Sequence, residues 1–280
     1  FRMFEEEAMK AFKAVDTCEQ FIRVSTPDDL EAPEEGENFM SLIMSGDENF
    51  DTVQTMPDDT AVVLYTSGTT GAPKGAELTH FNLFFNAHYC ATELNSLNPG
   101  DVVLAALPLF HSFGQTCLMN ASMVAGGTIT LVPRFETEKV MEVIQRDKVK
   151  LIALVPTMYS FILNNPDWEK YDFSSVETAT SGGAALPGEV HKRFKERYGI
   201  TLLEGYGLSE TSPVASFTLQ GMDVKVGSIG KAIWGVDMAI RRGDGTFCDV
   251  DEVGEIVIRG HNIMKGYLNR PEATAEALRD

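Results

Sequence analysis

The sequence predicts an α/β protein: a mostly parallel sheet flanked by helices, followed by a small β-rich subdomain. From Thr60 onward, short β-branched or apolar runs recur, and amphipathic segments of helical length lie between most of them. Runs apolar on both faces that alternate with helices are the pattern of a parallel sheet covered on both sides. After about Met222 the runs become short, alternating and separated by glycine, which reads as a small β subdomain.

Residues 1–57 say least. "EEEAMKAFKAV" reads as a helix, "EQFIRVS" as a short strand, and the acidic, proline-bearing "STPDDLEAPEEGENF" as an exposed loop. Over 58–222 the strands are "AVVLYT", "DVVLAALP", "TITLVP", "LIALVP", "VETATS" and "TLLEGY". The helical segments between them are "HFNLFFNAHYCATEL", "FGQTCLMNASMVAG", "ETEKVMEVIQRDK", "TMYSFILNN" and "PGEVHKRFKERYG". Pro187 sits where a first helical turn tolerates proline, and Gly199 where a helix ends. Over 223–280 the runs are "KVGSIGKAI", "VDMAIRR", "GEIVIRG" and "MKGYL", and "RRGDGTF" holds an Asp-Gly pair suited to a tight turn. "RPEATAEALRD" reads as the start of a helix.

Composition narrows the function classes. The 280 residues include 41 acidic and 23 basic side chains, a net charge of −18. That balance argues against a nucleic-acid surface or a strongly basic membrane patch, and reads as solubility. No apolar run approaches the ~20 residues of a membrane span. Cys18, Cys90, Cys117 and Cys248 lack the spacing of a zinc site or a disulfide framework, so free cytosolic thiols are expected. The chain starts at Phe1 without a signal-peptide pattern and stops just after a helix start, so a piece of a longer, cytoplasmic protein is expected.

Ligands of open parallel sheets bind beyond the carboxyl ends of strands. The unusual residues follow predicted strands repeatedly: "TSGTTGAPKG" after "AVVLY", "PLFHSFG" after "VVLAAL", "SGGAAL" after "VETAT", and "GYGLSET" after "TLLE". All four loops are therefore expected at one edge of the sheet. In the first, Gly68, Gly71 and Gly75 allow sharp turns that expose successive N–H groups as an anion-binding nest. Thr66, Ser67, Thr69 and Thr70 add hydroxyls, and Lys74 adds a mobile positive charge, the combination phosphate oxygens need. The spacing is not that of a Walker A loop.

"YTSGTTGAPKG" resembles the phosphate loop of adenylate-forming enzymes: acyl-CoA synthetases, peptide-synthetase adenylation domains and luciferases. "SGGAAL", "GYGLSETSP" and "GEIVIRGHNIMKGYLN" match the same family in order and separation, over roughly residues 57–280. The resemblance implies that Thr66, Ser67, Gly68, Thr69, Thr70, Gly71 and Lys74 cradle the β- and γ-phosphates of ATP. It implies that Gly182, Gly183 and Ala184 lie along the adenine and the acyl-pocket wall, and that Tyr206 packs on adenine while Gly205 and Gly207 allow close backbone approach. Glu210, with Thr66, is implied to hold magnesium, and Thr211 to contact the α-phosphate. A carboxylate is the hard oxygen ligand that Mg²⁺ takes alongside substrate phosphates. Lys74, His111, Glu210 and Thr211 form the implied catalytic set, with His111 positioning the reacting carboxylate.

A lone histidine among apolar neighbours is more often structural, and His80, His88, His191 and His261 are read so. "CLMNASMVAGG" is read as helix core first and acyl-tunnel wall second, and Trp234 as packing before gating. Amino-acid-activating relatives carry an aspartate near the "PLFHSFG" region; here His111, Ser112 and Phe113 include no acid. "LPLFHSFG" and "EGYGLSETSP" look most like bacterial medium- to long-chain fatty acid–CoA ligases, with aryl (coumarate-like) acid–CoA ligases as the alternative. The implied reaction consumes a fatty acid, ATP and coenzyme A, with peripheral membrane contact and a homodimer allowed in the full-length protein. In such enzymes a carboxy-terminal lid brings a catalytic lysine, and a "TGD"-type segment holds the ribose. The chain ends before both, so a binding module that does not complete the reaction, or an inert fragment, stay open.

Overall fold

The computed structural model describes residues 4–25, 35–66 and 72–279. The chain divides into two compact units, Phe1–Gln54 and Thr55–Asp280. In the first, helix α1 (Glu5–Lys13) carries Glu5, Glu6 and Glu7 in its first turn and Lys10 and Lys13 in its last, as the helix dipole favours. Strands β1 (Ile22–Arg23) and β2 (Glu37–Asn38) pair in parallel. The Asn38 side chain accepts from the Met40 N–H at 2.9 Å and so caps helix α2 (Phe39–Ser45). Most of "STPDDLEAPEEGENF" lies outside the described residues; its last residues form β2 and the start of α2 where a loop was expected.

The second unit begins with β3 (Thr60–Thr66), which returns as β4 (Lys74–Thr79). Thr79 then starts helix α3 (His80–Tyr89) through a reciprocal cap: its hydroxyl accepts from the Asn82 N–H at 3.1 Å, and Asn82 Oδ1 accepts from the Thr79 N–H at 2.9 Å. A wider π-helical turn, Cys90–Leu94, ends that helix. Next come β5 (Val102–Ala105), a π-helical stretch Phe113–Asn120 and α4 (Ala121–Ala125), which Gly126 stops in the left-handed region at φ 67°. The alternation continues as β6 (Thr128–Leu131), α5 (Thr137–Arg146), β7 (Leu151–Leu154), α6 (Pro156–Asn164), β8 (Thr178–Ser181), α7 (Gly188–Tyr198) and β9 (Leu202–Gly207). Pro187 is the residue before the first turn of α7, and Gly199 (φ 73°) closes it. The chain then forms β10 (Val214–Phe217), β11 (Lys231–Ala232), β12 (Val236–Arg241), β13 (Glu255–Gly260), β14 (Gly266–Tyr267) and α8 (Pro271–Ala277).

Seven strands form the main sheet in the order β11-β10-β9-β8-β7-β5-β6. From β6 to β9 the pairing is parallel, and β10 and β11 add an antiparallel edge. Helices α5, α6 and α7 cover one face, where Tyr159 and Phe194 are fully buried and meet edge to face at 5.1 Å. The Tyr159 hydroxyl donates to the Thr180 carbonyl at 2.8 Å, so its one polar atom is satisfied inside the core. A second core sets Cys90, Leu94, Cys117 and Ala121 with Leu203, Val214 and Phe217. Cys90 and Cys117 are free thiols with Sγ atoms 3.6 Å apart. Among the described residues no helix is long and apolar enough to cross a membrane.

One expectation fails. "AVVLYT" does not join the parallel sheet: β3 belongs to a three-stranded antiparallel sheet ordered β14-β4-β3. The reason is connection length. Only residues 67–73 separate β3 from β4, whereas a parallel return needs a crossover of about a dozen residues or more. "KGAELT", unassigned in the sequence, is the returning strand, and Leu64 is the one buried residue of β3. Of the strands after Met222, β11 extends the main sheet, β14 joins β4, and β12 and β13 pair with each other from Val236↔Gly260 to Arg241↔Glu255. The Asp244–Gly245 pair makes the expected tight turn, with the Arg242 N–H donating to the Thr246 carbonyl at 2.8 Å.

Candidate active site

Three of the four loops singled out do leave the carboxyl ends of main-sheet strands. The fourth, the phosphate-type loop, is the connection of the β3–β4 hairpin, which corrects the expectation that all four lie at one sheet edge. Ser67, Gly68, Thr69, Thr70 and Gly71 lie outside the described residues. Thr66 and Lys74, the hairpin's last facing pair, are described: the Thr66 hydroxyl donates to the Lys74 carbonyl at 3.4 Å.

Beyond β5 the chain turns at His111, whose N–H donates to the Pro108 carbonyl at 3.1 Å. His111 Nδ1 accepts from the Phe113 N–H at 3.3 Å. A neutral imidazole accepting at Nδ1 carries its proton on Nε2, so that nitrogen is the available donor. Beyond β8 come Gly182 and Gly183. The Leu186 N–H donates to Glu204 Oε1 at 2.9 Å, which ties this loop to β9. Beyond the start of β9 lie Gly205, Tyr206 and Gly207. Glycine is required at 205 and 207 by close approach: a Cβ would lie 2.0 Å from the Phe217 ring at 205 and 1.9 Å from the Pro213 carbonyl oxygen at 207.

His111, Gly182, Gly183, Gly205, Tyr206, Gly207 and Glu210 line one cavity of about 280 Å³. Ala184 is exposed and outside that lining, and the partly buried Thr66 and Lys74 are outside it too. Thr211 is buried beneath it. The Leu208 N–H donates to Thr211 Oγ1 at 2.8 Å, and that hydroxyl reaches the Pro213 carbonyl, so it closes its own turn. The turn is held from behind as well. The Asn86 side chain donates to the Val214 carbonyl at 2.9 Å and accepts from the Val214 N–H at 3.2 Å, while the Ser212 hydroxyl donates to the Asn262 carbonyl at 2.8 Å.

Glu210 is fixed twice. Its carbonyl accepts from the Met264 N–H at 2.9 Å, and its Oε1 accepts from the Tyr267 hydroxyl at 2.7 Å. Burial, then the hydrogen bond and charge of Glu210, push the Tyr267 phenol above the ordinary tyrosine range, so it stays a donor at neutral pH. The Lys74 ammonium lies 5.2 Å from the centroid of the same ring. A cation, a ring and a carboxylate thus connect the hairpin to the cavity.

Sequence reasoning missed Tyr267, although it stands inside the quoted "GEIVIRGHNIMKGYLN". It also missed Pro213 and Phe217 in the cavity wall, and read Ser112 and Phe113, which line it too, only for their lack of an acid. Aromatic residues in apolar runs look like core, and nothing in their spacing separates cavity wall from interior. Trp234 packs edge to face on Tyr89 at 5.4 Å and is half exposed, in keeping with packing. His191 is buried on α7, and its pKa is pushed down, first by burial and then by Lys195.

The family comparison matches the AMP-binding enzyme family over residues 4–268. The chain belongs to that family. Among AMP-binding relatives it is 42% identical over 224 residues to a long-chain-fatty-acid–CoA ligase of Bacillus subtilis (strain 168), covering 79% of this chain and 40% of the relative. It is 39% identical over 226 residues to a feruloyl-CoA synthase of an Amycolatopsis species (80% and 45%). It is 37% identical over 243 residues to 4-coumarate–CoA ligase 1 of Arabidopsis thaliana (82% and 43%). The chain therefore spans less than half of these curated relatives. Among solved structures, anthranilate CoA ligase in complex with anthranoyl-AMP superposes with a TM-score of 0.89 at 22% identity, covering 98% of this chain and 52% of that one, a likeness of fold. O-succinylbenzoate coenzyme A synthetase from Bacillus subtilis, in complex with ATP and magnesium ion, superposes at 0.76 with 31% identity, covering 88% and 51%.

Proposed function

We propose that the protein carrying this chain is an ATP-dependent acid–CoA ligase that activates a fatty carboxylate. The observation that carries the reading is that three separate stretches of chain, one with His111, one with Gly182 and Gly183, and one with Tyr206 and Glu210, line one cavity. In the first step a carboxylate oxygen attacks the α-phosphorus of ATP, the bond to the β-phosphate breaks, and acyl-adenylate and pyrophosphate form. In the second the coenzyme A thiol, losing its proton, attacks the acyl carbonyl and AMP leaves.

The chain's residues take the following parts. Residues 66–71 and Lys74 cradle the β- and γ-phosphates, with Lys74 as the charge that meets them. Tyr206 offers a ring face to the adenine, and Gly205, Gly207, Gly182 and Gly183 leave room for it; Ala184 borders the acyl pocket. His111 donates from Nε2 to the acid and orients it, with no proton to remove because the nucleophile is already a carboxylate. Thr211 shapes the turn that meets the α-phosphate.

Among the described residues no three His, Cys, Asp or Glu side chains group to hold a metal by themselves. One carboxylate, Glu210, borders the cavity, and Glu210 Oε2 has no hydrogen-bond partner among the described residues. That donor set fits Mg²⁺, which takes one or two carboxylates and completes its shell with phosphate oxygens and water. When bound, the ion would neutralise charge on the phosphates; Glu210 would hold it, with Thr66 at the hairpin mouth.

A fatty rather than amino-acid substrate is supported by the absence of an acid at Ser112 and Phe113 and by the similarity to the Bacillus ligase. The similarity to the feruloyl and coumarate enzymes supports an aryl acid as the second reading. A panel of fatty and hydroxycinnamic acids with ATP and coenzyme A, run on the whole protein, decides: the fatty reading expects the highest kcat/KM for an alkyl acid, and an aryl preference overturns it. We further propose a cytoplasmic site of action with peripheral membrane contact to collect the acid.

A further inference from the structure

We propose that Tyr267 is a positioning residue that holds the Glu210 carboxylate in register with Lys74, so that metal and triphosphate meet a site already set. The proposal rests on the reading of Glu210 and Lys74 given above. Its basis is one short segment bonded on both sides. Toward the cavity, the Met264 N–H holds the Glu210 carbonyl at 2.9 Å and the Tyr267 hydroxyl holds its Oε1 at 2.7 Å. Toward the hairpin, Gly266 and Tyr267 pair with Glu77 and Ala76 on β4, and the Leu268 N–H donates to the Gly75 carbonyl at 2.8 Å. The ring of Tyr267 lies 5.2 Å from the Lys74 ammonium, within the range of a cation–π contact.

Two functions are therefore separable on one side chain. The hydroxyl restricts rotation of the carboxylate and occupies Oε1, leaving Oε2 without a protein partner among the described residues. Partners that orient a metal's ligand typically change metal affinity by about 10- to 100-fold when removed. The ring restrains Lys74 without neutralising it, which a carboxylate in the same place would do.

Calorimetric titration of the chain with ATP, at several Mg²⁺ concentrations and without Mg²⁺, tests this. Tyr267→Phe keeps the ring and removes the hydroxyl. It is expected to weaken the Mg²⁺-dependent part of ATP binding about 10-fold and to leave metal-free ATP binding unchanged. Tyr267→Leu is expected to weaken metal-free binding as well, by about threefold, through the lost ring. Glu210→Gln separates the two levels of the argument. If it leaves Mg²⁺-dependent binding intact, or if the wild-type chain shows none, the reading of Glu210 falls and the proposal with it. If Glu210→Gln removes the Mg²⁺ dependence while Tyr267→Phe matches wild type, the proposal alone is overturned. Additive losses in the double variant also overturn it, because a residue acting through Glu210 has nothing left to act on. A second readout needs no substitution at 267. In nucleotide-free chain labelled with 3-fluorotyrosine, one ¹⁹F resonance is expected to shift between wild type and Glu210→Gln, and an unchanged spectrum overturns the hydrogen bond itself.

Discussion

At Gly207 a methyl group meets backbone: an ideal Cβ would stand 1.9 Å from the Pro213 carbonyl oxygen and 2.7 Å from its carbon. Backbone held by the Asn86 clamp at Val214 cannot rotate away as a side chain can. Gly207→Ala is therefore expected to destabilise the chain by about 1–3 kcal/mol, the usual range for overpacking, and to abolish ATP binding because the cavity wall moves. Urea denaturation with calorimetry checks both, and a midpoint equal to wild type would show that the turn relaxes. His191 makes a different kind of statement. Its pKa is lowered in the fold by burial and Lys195, opposed by Glu204. The unfolded chain thus binds the proton more readily, and the stability contributed by neutral His191 is present above the ordinary pKa of about 6.5 and lost as pH falls through the depressed value. Between pH 7.5 and 5, the wild-type thermal midpoint should fall more steeply than that of His191→Gln. Parallel slopes would mean that His191 titrates alike in both states.

Helix α7 shows what an element contributes and how far sequence can see it. Phe194 is fully buried against Tyr159 and Tyr198, at 5.1 and 4.8 Å between ring centroids. Phe194→Ala should cost about 3–5 kcal/mol, read as a shift in urea midpoint at constant slope, and a cost below about 1 kcal/mol would mean the neighbouring rings collapse into the space. Both ends of this helix were legible, because Pro187 and Gly199 mark them by local backbone chemistry. The β–α alternation from β5 to β9 was legible for a related reason: period and polarity are written in contiguous residues. The hairpin β3–β4 was not read, although the short connection already forbade a parallel return. The partners of the Glu210 turn were beyond local reading altogether. Asn86 reaches Val214 across 128 positions, and Tyr267 reaches Glu210 across 57. An asparagine in a helix and a tyrosine beside a glycine carry no mark of such distant partners. So the residues proposed to meet ligand were legible as motifs, and the residues that hold them were not.

For the molecule as a whole, the net charge of −18 is the property that no single contact explains. Like charges at that density repel one another, and compacting them costs free energy that counter-ions reduce. Local pairs oppose this cost: Lys150 lies between Asp101 at 2.7 Å and Glu177 at 3.4 Å, and Arg146 grips Asp147 at 2.6 Å. Exposed pairs are worth about 0–1 kcal/mol each and weaken with salt, whereas the partly buried Lys150–Asp101 pair is screened less. The Debye length shrinks from about 30 Å at 0.01 M salt to about 8 Å at 0.15 M, which screens long-range repulsion between distant carboxylates before it screens pairs in contact. The thermal midpoint should therefore rise between 0.01 and 0.15 M sodium chloride. The same salt should act on nucleotide binding with the opposite sign at one point if Lys74, as proposed, attracts phosphate while the surrounding charge repels it. Metal-free ATP affinity is expected to change less over this range than the thermal midpoint implies, and calorimetry beside scanning measurements reads the two together. A midpoint that falls with salt would mean that the ion pairs outweigh the repulsion among the unpaired carboxylates.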